Sequence, residues 1–355
     1  MTATLLDAIA SDATIEAFFS EDREIEAMLA FEAALAGAEA EARIIPPEAA
    51  AAIEAACHSF RPPLDALRAG MAKDGVVGPS FVALLRKAVA EPHGKWLHFG
   101  ATSQDVVDTG LVLRLKALVA ELDARLAGMI EALEHLKTAH GETALMAQTR
   151  MQRALPFTAA DKLDTWLRPL QRDRVRLAEI TPRLLIVQFG GPVGNRSGLD
   201  GKGDLIAERL AARLGLGAAP AWHTARDSIA ELGGWLSLVS GTLGKIGADV
   251  ALMAQNEIAA VRIAGGGSSS AMPHKSNPVA AEVLTALARY NAGLVGTLHQ
   301  ALVHENERSG AAWTLEWLVL SQMAITTGAA LGHARQLIAA LNFMPDASIV
   351  QPAAR

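Results

Sequence analysis

Ile229, Leu232, Leu236, Val239, Leu243, Ile246, Val250 and Met253 follow one another in steps of 3,4,3,4,3,4,3. A strand turns a new face every two residues, so this spacing cannot lie on one side of a strand. On an α-helix it forms a single seam about seven turns long. Such a seam packs against nearly parallel neighbouring helices with a left-handed crossing. Gly233, Gly234, Gly241, Gly244 and Gly247 fall within it. Each costs up to about 1 kcal/mol relative to Ala, which close approach of another helix would explain. Ser228, with Glu231 three residues on, predicts a capping box at the start.

Other stretches repeat the helical period. From Val106 onward, Leu111, Leu115, Leu118, Leu122, Leu126, Met129, Leu133 and Leu136 keep one face apolar with no proline between them. The run from Asp22 to Ile44 reads as an amphipathic helix ended by Pro46-Pro47. Further helices are predicted over Val279–Val303 and Ala312–Leu341. The expected class is all-α, a long-helix bundle. The expected division is an N-terminal helical domain over 1–100, a bundle domain over 101–341 and a short C-terminal remnant over 342–355. One narrow bundle has few places to bury so many apolar stripes, so association of subunits through the bundle is expected.

Composition excludes several classes. Among 355 residues, 32 Lys+Arg against 38 Asp+Glu give a net charge of −6, which argues against a nucleic-acid partner. Cys57 is the only cysteine, so neither an intramolecular disulfide framework nor a cysteine zinc site is available. Together with an N-terminus lacking a basic n-region, this points to the cytoplasm. The longest uncharged run, near Trp317–Gly332, contains Ser321, Gln322, Thr326 and Thr327 and is short of the roughly 20 apolar residues a bilayer needs. It reads as a buried helix rather than a membrane span.

The strongest local signal is Gly265-Gly-Gly-Ser-Ser-Ser-Ala-Met-Pro-His-Lys-Ser-Asn-Pro-Val279. Glycines and serines give a polar loop between two long helices, expected to be mobile over 265–271 without ligand. A cation and an amide close to a hydroxyl can stabilise developing negative charge while the hydroxyl moves a proton. The segment resembles the fumarase/aspartase superfamily signature, Gly-Ser-Ser-x-Met-Pro-x-Lys-x-Asn-Pro, with Ser268 standing where that signature has glycine. The resemblance places the proton-transferring serine at Ser269, with Ser268 and Ser270 as the adjacent registers. It assigns Lys275 and Glu282 to catalysis beside it and Asn277 to substrate binding.

A second match is His98-Phe-Gly-Ala-Thr-Ser-Gln-Asp-Val-Val-Asp-Thr109, which resembles the superfamily segment opening the first long bundle helix. It implies that His98, Thr102 and Ser103 bind substrate. Asp105 and Asp108 could equally be first-turn acids favoured by the helix dipole, the structural role being the stronger one for Asp108. A third segment, Gln148-Thr-Arg-Met-Gln152 followed by Pro156, matches at Thr149 and Gln152. The superfamily's lyases carry histidine where this chain has Arg150. That histidine acts as, or supports, the acid that protonates the leaving group. Arginine, with a pKa above about 12, cannot.

An amine leaving group needs a proton, whereas a carboxylate, with a pKa around 4, does not. Within the superfamily, the reaction with a carboxylate leaving group is ring opening of 4-carboxymuconolactone, the reverse of 3-carboxy-cis,cis-muconate cycloisomerisation. The stretches Met28–Leu35, Phe189–Gly194 and Glu305–Trp317 are similar to that branch, and Arg308 joins Arg150 as an expected carboxylate ligand. The resemblance thus implies a small polycarboxylate substrate, no cofactor, no metal and a homotetramer whose subunits share active sites. An Arg150–Glu282 ion pair is expected either to steady substrate binding or to be purely structural. The alternatives are an adenylosuccinate-lyase-like enzyme, which shares the His98 region, and a non-catalytic helical protein.

Overall fold

A computed structural model describes residues 4–267, 272 and 276–350. Two short helices, α1 (Asp7–Ala10) and α2 (Ala13–Ala17), lead into α3 (Glu21–Glu41), α4 (Pro47–Ser59), α5 (Leu64–Asp74) and α6 (Gly78–Ala88). A 3₁₀ turn at His93–Trp96 precedes α7 (Ser103–His140), the hairpin β1 (Ala144–Thr149) and β2 (Gln152–Thr158), and α8 (Ala159–Leu184). Then come α9 (Gly203–Leu214), α10 (Asp227–Met253), β3 (Val261–Ile263), α11 (Val279–Gln300), α12 (Gly310–Ala339), β4 (Leu341–Phe343) and α13 (Ala347–Val350).

The seam behaves as its spacing requires. From Ile229 to Val250 its residues are buried in the core shared by α7, α8, α10, α11 and α12. By length and composition α10 could cross a membrane, but its apolar face is spent on this bundle. A side chain at Gly244 would overlap the Ala288 methyl, and one at Gly247 the Ala281 carbonyl oxygen. Those two glycines therefore let α11 lie close against α10. Gly234 and Gly241 face open space within the protomer, so close packing inside one subunit does not explain them.

Two local expectations need correction. The Ser228–Glu231 capping box does not form, because α10 starts at Asp227 with Arg226 in the cap position and no side-chain cap. Glu231 instead holds Arg183 across to α8 at 2.6 Å. The helix predicted to end at Pro46 stops at Glu41, and the chain turns through Arg43 at φ 59°. Pro47 opens α4, where its missing N–H costs nothing. The fold is helical in its bulk but carries two small antiparallel pairs, β1–β2 and β3–β4.

Those pairs sit at one end of the bundle. Trp166 of α8 donates to Asp249 near the end of α10 (2.8 Å), and the Asp346 N–H donates to the Ala144 carbonyl (2.9 Å). The opposite end is capped by a second apolar cluster, in which α3, α4, α6 and α9 cover the beginning of α7 and the segment around Phe189. At 1.5 Å per residue, the 38 residues of α7 separate the two ends by about 57 Å.

Candidate functional site

At the end away from the hairpin, Thr102 is extended and α7 begins at Ser103. The buried Asp105 side chain accepts from the Thr102 N–H (3.0 Å), the Gly190 N–H (2.8 Å) and the Gly191 N–H (2.9 Å), and lies 2.9 Å from His223 Nε2. One carboxylate thus ties the helix start to a loop more than eighty residues downstream. Gly191 is obligatory there: its φ is 70°, and a Cβ would sit 2.8 Å from the Gly100 carbonyl oxygen. Gly78 leaves room for Ser103, whose Cβ would lie 2.7 Å from a Cβ at that position. The Ser103 hydroxyl is uncommitted among the described residues.

His98 sits beside this helix start, held at φ 60°. Its Nδ1 lies 2.5 Å from Glu32 Oε1. Burial works against the imidazolium, but the Glu32 charge and hydrogen bond outweigh it and raise the His98 pKa above the ordinary value. The ring is thereby held in one orientation.

Beneath the helix start lies a buried charge network. Arg226 bonds Asp108 through Nη1 and Nη2 (2.6 and 3.1 Å) and reaches Glu316 through Nε at 2.9 Å and through Nη2. Burial opposes its charge, yet the two carboxylates hold its proton more tightly than usual. Trp313 Nε1 and Gln104 Nε2 also donate to Asp108, at 2.9 and 3.1 Å. Gln104 Oε1 in turn accepts from Arg308 Nε at 3.0 Å, which places Arg308 at the same end as Thr102 and Ser103. Asp108 thus has a structural role, as expected. Asp105 acts as a hub for neighbouring backbone rather than as a simple first-turn acid. Sequence reading did not single out Glu32, Gln104, His223, Arg226 or Glu316, and no local spacing signals them.

Thr149, Arg150 and Gln152 lie at the tip of the hairpin at the other end. Thr149 pairs with Gln152, leaving a two-residue turn in which Arg150 and Met151 have φ of 49° and 65°. Such turns prefer Asn-Gly, since both central residues are left-handed. Held by two ordinary side chains, the turn stores strain. Gln148 to Pro156 are all exposed, including Met151 and Leu155 at 75% and 73%. The expected Arg150–Glu282 pair is absent from the protomer, and among the described residues Arg150 makes no ion pair. Glu282 is exposed in the first turn of α11.

Ser269 and Lys275 lie outside the described residues, as do Ser268 and Ser270, so the expected mobility of the serine loop falls there too. The neck of that loop is described. Gly267 and Asn277 exchange two backbone hydrogen bonds of 2.9 and 2.8 Å, which bring the ends of the segment together. Asn277 and Glu282 therefore share the hairpin end of the bundle, while His98, Thr102, Ser103 and Arg308 share the other. Within one protomer the two groups do not meet.

The sequence profile of the lyase family matches residues 6–292. The chain is 42% identical to a 3-carboxy-cis,cis-muconate cycloisomerase of Pseudomonas aeruginosa, over 95% of this chain and 75% of that protein. Identity to the protein of that name from Pseudomonas putida is 40%, over 94% of this chain and 81% of the other. A crystal structure of the 3-carboxy-cis,cis-muconate lactonizing enzyme from Pseudomonas putida superposes with a TM-score of 0.89 at 38% identity, covering 96% of this chain and 78% of that one.

Proposed function

Because the chain belongs to the lyase family, we propose that it interconverts 3-carboxy-cis,cis-muconate and 4-carboxymuconolactone, a step of protocatechuate breakdown. The observation that carries this reading is Arg150, at the exposed hairpin tip where the superfamily's lyases hold a histidine. A fixed cation can bind a carboxylate but cannot protonate a leaving group. The reaction that fits has a carboxylate as its leaving group. In the lactonising direction an internal carboxylate adds to the C=C bond, and the carbon beside a neighbouring carboxylate becomes carbanionic. Ser269 delivers the proton to that carbon and removes it in reverse. Lys275, Asn277, Thr102, Ser103, Thr149, Gln152, Arg150 and Arg308 bind the carboxylates and the developing charge, and His98 borders the substrate. Glu282 acts beside Ser269.

On this reading these groups come from more than one subunit, and two observations support it. About 57 Å of helix separates Ser103 from the hairpin, and the hairpin projects Met151 and Leu155 into solvent. A homotetramer built around the α10 seam, with shared sites, meets both requirements. The N-terminal helices share an apolar cluster with α9 and Trp313, and Phe343 packs in the bundle core, so the proposed N-terminal, bundle and remnant segments do not each have a core of their own; the lone buried cysteine supports a cytoplasmic setting.

The test is an ultraviolet assay. Added 3-carboxy-cis,cis-muconate should lose its conjugated-diene absorbance, whereas adenylosuccinate should be unchanged. Efficient turnover of adenylosuccinate would refute the leaving-group argument. Light scattering should find a tetramer, and an active monomer would refute the shared site.

A further inference from the structure

Between α3, α7 and α12 the fold forms a partly open cavity of about 200 Å³. Phe19, Leu111, Trp317 and Leu320 make its walls largely apolar. Arg114 and Glu24 border the same space. Arg114 is only partly exposed, and among the described residues its only side-chain hydrogen bond runs from Nε to the Gly110 carbonyl at 3.3 Å. Its two terminal nitrogens have no partner and it makes no ion pair among those residues. Glu24 is also without a side-chain partner there; its charge favours the Arg114 cation without touching it.

A guanidinium drawn out of water with no acceptor touching its terminal nitrogens is costly, and its planar fork matches a carboxylate. Glu24 supplies an acceptor on the same space, with apolar surface around both. We infer that this cavity is a binding site for a small carboxylate with an apolar body, its carboxylate on Arg114 and a hydrogen-bond donor directed to Glu24. Its anchoring cation is set apart from the reacting groups, although Val77 and Val107 carry the cavity wall toward the start of α7. Arg114 lies 11 residues beyond Ser103 on α7 (114 − 103), about 16 Å along the helix. It is nevertheless connected to them. The Trp317 ring lies 4.5 Å from that of Trp313, whose Nε1 donates to Asp108.

The full-length protein should be titrated calorimetrically with 4-hydroxybenzoate, benzoate and phenol, with tryptophan emission followed in parallel through Trp317. 4-Hydroxybenzoate should bind more tightly than benzoate, and phenol should give no measurable heat. Arg114→Met should weaken 4-hydroxybenzoate binding about 10- to 100-fold, the range for losing charged hydrogen bonds. Ser321→Phe, which intrudes on the cavity while keeping the guanidinium, should weaken it as well, so the inference does not depend on Arg114→Met folding. Ser103→Ala should leave it unchanged. The proposal is overturned if the wild type binds neither carboxylate at millimolar concentration. It is equally overturned if Arg114→Met and Ser321→Phe both bind normally, or if Ser103→Ala is the variant that loses binding.

Discussion

Replacing Glu39 by Met should stabilise the protein, by an amount that depends on pH. Glu39 is fully buried on α3, and neither carboxyl oxygen has a hydrogen-bond partner among the described residues. Burial, reinforced by the Glu32 charge, pushes its pKa up to about 9 from 4.5. Between those values the folded chain holds a proton that the unfolded chain releases. Stability is therefore lost as pH rises from about 4.5 to about 9, at about 1.4 kcal/mol per pH unit. At pH 7 the 2.5 pH units above 4.5 correspond to a cost of about 3 kcal/mol. Met has similar length and no charge to desolvate, so Glu39→Met should recover most of that. His98, whose pKa is also raised, loses stability in the same direction. It does so in both proteins and largely cancels in the comparison. Urea unfolding at pH 5, 7 and 8.5 should show a gain below about 1 kcal/mol, then about 3, then about 5. A gain that is the same at all three pH values, or absent at pH 8.5, would refute the reasoning.

Arg226→Met leaves Asp108 and Glu316 buried without their counter-ion and should cost about 3–5 kcal/mol in urea unfolding, a loss under 1 kcal/mol contradicting the network's role. Ser269→Ala should lower turnover about 10²- to 10⁴-fold with folding intact, and parallel Ser268→Ala and Ser270→Ala variants fix the register. If Ser268→Ala is the inactive one, the serine assignment is off by one. Arg150→Lys should keep partial activity, because the charge remains while the two-pronged fork is lost. Arg150→Met should chiefly raise KM and leave the shape of the pH–rate profile unchanged; unaltered KM with lower thermal stability would make Arg150 structural.

Much of the bundle could be read directly from the chain. A helix brings residues three and four apart onto one face, so a seam such as Ile229 to Val250 declares both its element and its buried side without reference to anything distant. The ordered motifs around Thr102, Thr149 and Asn277 were legible for the same reason, since each is local. The hairpin was not. Gln152 to Leu155 are exposed on both sides of β2, so no alternation of apolar and polar residues marks it as a strand. Its left-handed tip uses Arg-Met, which carries no turn signal. Asp105 looked like an ordinary first-turn acid because its Gly190, Gly191 and His223 partners lie 85 to 118 residues away. Arg226 likewise meets Asp108 and Glu316 across 118 and 90 residues. Local spacing determined which helices form and which faces they bury. Only packing decided which charges lie together beneath the start of α7, and the length of that helix set the motifs at opposite ends of one subunit, because such contacts depend on how whole helices sit against one another rather than on any repeat within them.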